Sequence, residues 1–189
     1  MLKAFPLKHP DHKVSAAGGA APITSKRLPQ FMQIQTQTNW CWSACGTSVG
    51  LLFVTGQWTQ CGTACGCLNR TDCCDSPVPG GCNVYGYLDQ ALTFTKSFDK
   101  MTSGTMNATN IRQNIDAGKP VCARVAWTNG GAHFVAITGY FFPTANPSNF
   151  TIFLQDSIWG ASSMLLADFP ARYQGGGTWT HTYTTAKTA

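Results

Sequence analysis

The chain has 189 residues, 43% of them apolar and only 11% charged, with a formal net charge of +5. That size and apolar content suit one domain with a core of its own, exclude disorder throughout, and leave no apolar run long enough to span a bilayer. Residues 1–30 hold five basic side chains against Asp11, while residues 31–189 hold eight basic against seven acidic ones, so the body offers no basic face to nucleic acid.

In chain order, residues 1–30 are rich in Ala, Gly, Lys and Pro and show neither helical nor alternating patterning. They read as a basic arm, a propeptide or a secretion segment, with the folded domain over 31–189. CWSACGTSVGLLFV, from Cys41, is apolar enough for a buried helix, and Asn39 is a suitable N-cap that puts Cys41 in the first turn. Residues 56–83 form a loop rich in cysteine and glycine. Tyr85–Thr95 predicts a second helix, and Asn107–Pro120 a third that Gly118 and Pro120 stop. The period then changes. VCARVAW, AHFVAITGY, NFTIFLQD and TWTHTYTT predict four strands, with a short helix around Leu165–Gln174 before the last. Helices first and strands later predict an α+β fold with an antiparallel sheet.

The chain has no Glu, so every side-chain carboxylate is one of eight Asp, and it has nine cysteines. Dense cysteine points to an oxidising compartment, and an odd count leaves one thiol unpaired. The N-terminal MLKAFPLKHPDHKVSAAGGAAP has no continuous apolar segment of the secretory kind. Export then implies a leader already removed or another route.

A cysteine nucleophile needs a stabilised thiolate, a base, a group that orients the base, and donors for the oxyanion. Cys41 at a helix start meets the first need, because first-turn N–H groups and the helix dipole favour the anion. Of four histidines, His9 and His12 lie in the arm, and His181 in WTHTYT reads as a strand histidine sharing a face with Trp179 and Tyr183. His133, after a glycine turn and at the mouth of an apolar strand, is the candidate base. Asp156 closes the next strand and can stand beside it, with Asp168 and Asn149 as alternatives. Gln35, six residues before Cys41, is the candidate oxyanion donor. Gln33 and Gln37 share its chemistry, and only spacing favours Gln35.

Gln35-x5-Cys41-Trp42, a strand-opening His133 and the Asp156-Ser157-Ile158-Trp159-Gly160 turn together resemble the papain superfamily of cysteine proteases. NWCWSAC, HFVAITGY and the Asp in the orienting position are most similar to its compact bacterial members, the secreted and effector-type proteases. Trp58-Thr59-Gln60-Cys61, Asp72-Cys73-Cys74 and Cys82-Asn83 also look like elements of the secreted members. The resemblance spans about residues 29–185. It implies a helical part carrying the nucleophile against a barrel-like antiparallel sheet, and a cysteine endopeptidase working through a thioester. It assigns Cys41 as nucleophile, His133 as base and acid, Asp156 as orienter and Gln35 to the oxyanion hole. The implied protein is a secreted or effector-delivered monomer acting on protein or peptide substrates without metal, cofactor, nucleic acid or membrane. Plant and lysosomal members carry Asn where this chain has Asp156, and Ile158 is inserted before Trp159.

Trp40 and Trp42 are expected to pack the helix start against the sheet and to wall Cys41 from water on one side. With Cys41 free, eight cysteines remain for four disulfides, with 105 possible connectivities. Cys45 is expected to be tied to the 61–82 loop or to Cys122. Competing readings are a zinc site in the 61–82 loop, a non-catalytic disulfide-rich module on the same frame, and acyl transfer to an amine instead of water.

Overall fold

The computed structural model describes residues 22–54 and 58–187. It is an α+β fold in which three helices and part of a loop lie on one face of a seven-stranded antiparallel sheet, with a fourth helix on the other. The strands are β1 (Ile23–Arg27), β2 (Phe98–Ser103), β3 (Val121–Trp127), β4 (Ala132–Pro143), β5 (Thr151–Asp156), β6 (Gly160–Leu165) and β7 (Gly177–Thr185). Their order is β2-β7-β3-β4-β5-β6, and β1 pairs with the far half of the long β4. The two ends of this path, β2 and β6, do not pair, so the sheet is open where a barrel-like one was expected. β1 lies inside the stretch read as an arm. Residues 1–21, with His9 and His12, fall outside the described residues.

Strand alternation sorts the core into two. Val121, Ala123, Val125, Val135 and Ile137 face Ile111 and Ile115 of α4 (Ala108–Asp116). Cys122, Phe134, Ala136 and Tyr183 face α1 (Cys41–Phe53), α2 (Gln60–Leu68) and α3 (Leu88–Phe94). A register shift between Arg124 and Val125 puts one extra residue, Thr180, into β7 between Trp179 and His181. The bulge turns Trp179 into the first core and leaves His181 and Tyr183 on the other face, so the three do not share a face as expected.

The helical layer is close-packed because its residues are small. A Cβ on Gly46 would come within 2.5 Å of Ala91, and one on Gly50 within 2.6 Å of Thr95, so these two α1 glycines let α3 approach the backbone. α2 arises inside the expected loop, with Thr59 accepting from the Gly62 N–H as its cap. α4 is capped by Asn107 and ends before Gly118, whose φ is +76°. α3 starts later than expected, at Leu88 after an extended Tyr87, and Gly86 ahead of it is pressed onto Trp42, where a Cβ would sit 2.3 Å from the ring. The expected helix at 165–174 is a single 3-10 turn, Leu166–Asp168. Phe169, which precedes Pro170, is extended, as a residue before proline favours.

Candidate active site

Cys41 is the first residue of α1. The cap position belongs to Trp40, not Asn39, and no side chain caps the helix. Asn39 is instead bonded to Asn83: its N–H donates to Oδ1 (3.0 Å) and its Nδ2 to the backbone carbonyl (2.8 Å). The flanking tryptophans reach the same loop. Trp40 Nε1 donates to the Cys82 carbonyl (2.6 Å) and Trp42 Nε1 to that of Val84 (3.0 Å). The helix start is thus anchored from outside, and its first-turn N–H groups are not taken by a cap.

The loop that anchors it is cross-linked by Cys61–Cys74 and Cys73–Cys82. Two disulfides, where four were expected, leave Cys41, Cys45, Cys65, Cys67 and Cys122 as thiols. Pairing four of the loop's six cysteines removes the ligands that a zinc site there would need. Cys45 and Cys122 meet across the α1–β3 interface with sulfurs 3.7 Å apart. Their hydrogen bond, and then burial, raise the Cys45 thiol well above its ordinary pKa. Burial, and then Asp89, push Cys67 up to about 11. Both are held as neutral thiols.

His133 and Asp156 come together as expected. His133 is the second residue of β4, and Asp156, the last of β5, pairs with Val135. His133 Nε2 lies 2.9 Å from each Asp156 oxygen, and both side chains are buried. This commits Nε2 to the carboxylate and leaves Nδ1 for the thiol. Burial opposes charge on the ring, yet the hydrogen bonds of Asp156 and Cys41 outweigh it and raise His133 to about 9. Asp156 also accepts at Oδ1 from the N–H groups of Ile158 (2.7 Å) and Trp159 (3.1 Å), and at Oδ2 from the Tyr173 hydroxyl (2.7 Å). Burial opposes its charge too, but the bonds from His133, Tyr173 and Ile158 hold it below the usual carboxylate range. Despite the inserted Ile158, Trp159 stands edge-on to the His133 ring at 5.3 Å, and Trp127 stacks on it at 6.0 Å. Asp168 pairs with Arg172, and Asn149 lies on an exposed turn; neither partners His133.

Gln35 is placed by a strap of extended chain. Gln155 Oε1 accepts from the N–H groups of Phe31 and Met32, and Gln60 Oε1 from that of Thr36. The Gln35 N–H donates to the Ser157 carbonyl, and the Ser157 hydroxyl donates to Gln35 Oε1, both at 3.0 Å. Gln35 Nε2 donates to the carbonyls of Gln37 and Thr38, 2.9 Å each. Both amide hydrogens are therefore engaged, and an oxyanion must displace one carbonyl to use Gln35. Gln33 Oε1 accepts from Gln60 Nε2.

The thiol opens onto a cavity of about 820 Å³ between the helices and the sheet. The family model of the papain-like cysteine protease AvrRpt2 matches residues 23–172. The chain belongs to this papain-like cysteine protease family. The matched span contains Gln35, Cys41, His133 and Asp156, and it takes in β1. A comparison with curated proteins finds no match. Tyr173 lies one residue past the matched span and was not singled out in the sequence, where it falls inside a stretch read as helix. Only the fold brings it onto Asp156, so spacing and pattern gave no signal for it.

Proposed function

We propose that this papain-like cysteine protease hydrolyses peptide bonds through a Cys41 thioester, with His133 as acid and base and Asp156 as its orienter. The observation that carries the reading is His133 held through Nε2 by a buried, fully bonded Asp156, with Cys41, the first residue of α1, among the groups that favour charge on the same ring.

The resting pair is a Cys41 thiolate and a His133 imidazolium. The thiolate attacks the scissile carbonyl carbon, a C–S bond forms, and the oxygen takes the charge. The backbone N–H of Cys41, in the uncapped first turn, is the fixed donor for that oxyanion. Gln35 joins it by releasing the carbonyl of Gln37 or Thr38. His133 gives its proton to the leaving nitrogen as the C–N bond breaks. Neutral His133 then takes a proton from water, whose oxygen attacks the thioester. The C–S bond breaks, and the acid product leaves. Throughout, Asp156 keeps the imidazole in one tautomer and favours its charge.

The two disulfides support an oxidising compartment, hence secretion or export. The reading needs no metal, cofactor, nucleic acid, membrane or second copy of the chain. The test is brief labelling of unreduced protein with iodoacetamide, followed by peptide mapping and turnover of a peptide library with and without added amine. Fast labelling at Cys41, and loss of about 10⁴-fold or more in turnover by Cys41→Ala with an unchanged melting curve, are expected. Normal turnover by Cys41→Ala would sink the assignment, and amine-linked products in place of free acids would make the enzyme a transferase.

A further inference from the structure

The cavity beside Cys41 has a sheet floor and a helical wall. Arg124 on β3 is directly opposite Phe134 on β4 and His181 on β7, so these three side chains share the floor with Tyr183. The wall is Trp42 and the Tyr85–Tyr87 segment, with Asp89 from the first turn of α3.

Arg124 differs from the paired arginines of the chain. Arg70, Arg112 and Arg172, all on the surface, each have an aspartate: Asp72, Asp116 and Asp168. Arg124 is half-buried, and among the described residues no carboxylate lies within 4.0 Å of it. Among the described residues its one side-chain bond is from Nη1 to the Thr180 hydroxyl, 3.0 Å. The rest of its donor fork is left to the cavity. The charged or titratable groups that line the cavity with it are His181 and Tyr183 on the same floor, Asp89, Tyr85 and Tyr87 on the opposite wall, and Cys41 where the cavity starts. Tyr183 feels both ends: burial and then Asp89 raise its hydroxyl to about 12, with Arg124 opposing. A half-buried guanidinium with no carboxylate of the described residues within 4.0 Å, in the cavity that starts at the nucleophile, matches a ligand that brings the anion with it.

We propose that Arg124 is a specificity-determining residue that selects substrates presenting a carboxylate to this cavity, from an Asp or Glu side chain or from a free C-terminus. The proposal rests on the protease reading of Cys41.

The experiment uses a library of peptides in Glu/Gln and Asp/Asn pairs at each position around the scissile bond, each also with a free or amidated C-terminus. Cleavage is measured with the full chain. Binding is measured separately with Cys41→Ala protein, which needs no turnover. A preference of about tenfold or more for the carboxylate member at one position is expected, the usual size for a hydrogen bond to a charged group. Arg124→Gln should abolish it, Arg124→Lys should keep part of it, and Asp89→Asn should preserve or strengthen it. If Arg124→Gln fails to fold, Arg124→Lys still reads the loss of the planar fork. Preference confined to the free C-terminus assigns the carboxylate to the chain end. Equal handling of every pair in both measurements overturns the proposal. Carboxylate-selective binding without any cleavage breaks the protease reading and leaves the selection by Arg124 standing.

Discussion

The two walls of the cleft are positioned by different physics. On the sheet wall, His133 is fixed by a charge: Asp156 is buried, receives its N–H bonds from Ile158 and Trp159 and its hydroxyl bond from Tyr173, and passes that order on to the imidazole. On the helical wall, Cys41 is fixed by backbone and packing. Indole N–H groups bond to a loop, two disulfides hold that loop, and glycines bring α3 against α1. A charge network sets protonation as well as position, whereas packing sets position alone. Substitutions on the sheet wall should therefore change rate and pH dependence at nearly constant stability. Those on the helical wall should change stability before they change chemistry.

The largest effect expected under this contrast is at Asp156. Asp156→Asn keeps the shape and removes the charge, and should lower kcat/KM by about 10³-fold or more by leaving the imidazole in the wrong tautomer or weakly held. The pH profile carries the sign. Acylation needs His133 protonated, so activity should fall as pH rises through about 9 in the native enzyme. Without the carboxylate, burial of the ring is opposed by the Cys41 pairing alone, so the alkaline limb should move to lower pH. A limb that stays near 9 would show that Asp156 does not hold the proton.

Gln35→Ala comes next. It removes the proposed oxyanion donor and should lower kcat by about 10²-fold, at the small end for such donors because one carbonyl bond must first be released. A rise in KM with kcat unchanged would place Gln35 in the strap and not in the chemistry. On the helical wall, replacing Cys73 and Cys82 together by Ala should destabilise the fold by about 2–3 kcal/mol, from the loop entropy of the unfolded chain. Denaturant melts would measure it. Activity per folded molecule should hold, and a matching loss of kcat would erase the contrast between the walls.

The sequence made the residues proposed to react legible because each sits where a pattern changes: Cys41 opens a helix, His133 a strand after a glycine turn, and Asp156 closes a strand. The helices α1 and α4 and the four apolar strands were legible for the same reason. β1, β2 and β6 were not, since they are exposed strands without an apolar alternation and exist through pairing with a neighbour. α2 was hidden by its glycines and cysteines, and its buried Gln60, like Gln155 on β5, reads as an ordinary polar residue until the strap lies on it. Arg124 likewise stands in a strand pattern that says nothing of the cavity it faces.

Tyr173 gives the smallest and sharpest test. Its hydroxyl donates to Asp156 Oδ2 at 2.7 Å, and burial and then the carboxylate raise its own pKa far above the ordinary tyrosine value, so it stays a donor at every working pH. The ring is held independently, tilted on Phe169 at 5.7 Å and stacked near Trp127 at 6.3 Å, so Tyr173→Phe removes the hydroxyl and keeps the packing. One of several donors to Asp156 is lost, which should lower kcat/KM by about tenfold or less. The pH profile should respond in the opposite sense to Asp156→Asn. With fewer donors sharing its charge, the carboxylate binds the His133 proton more firmly, and the alkaline limb should move to higher pH. A tyrosine that only filled space would leave that limb where it is.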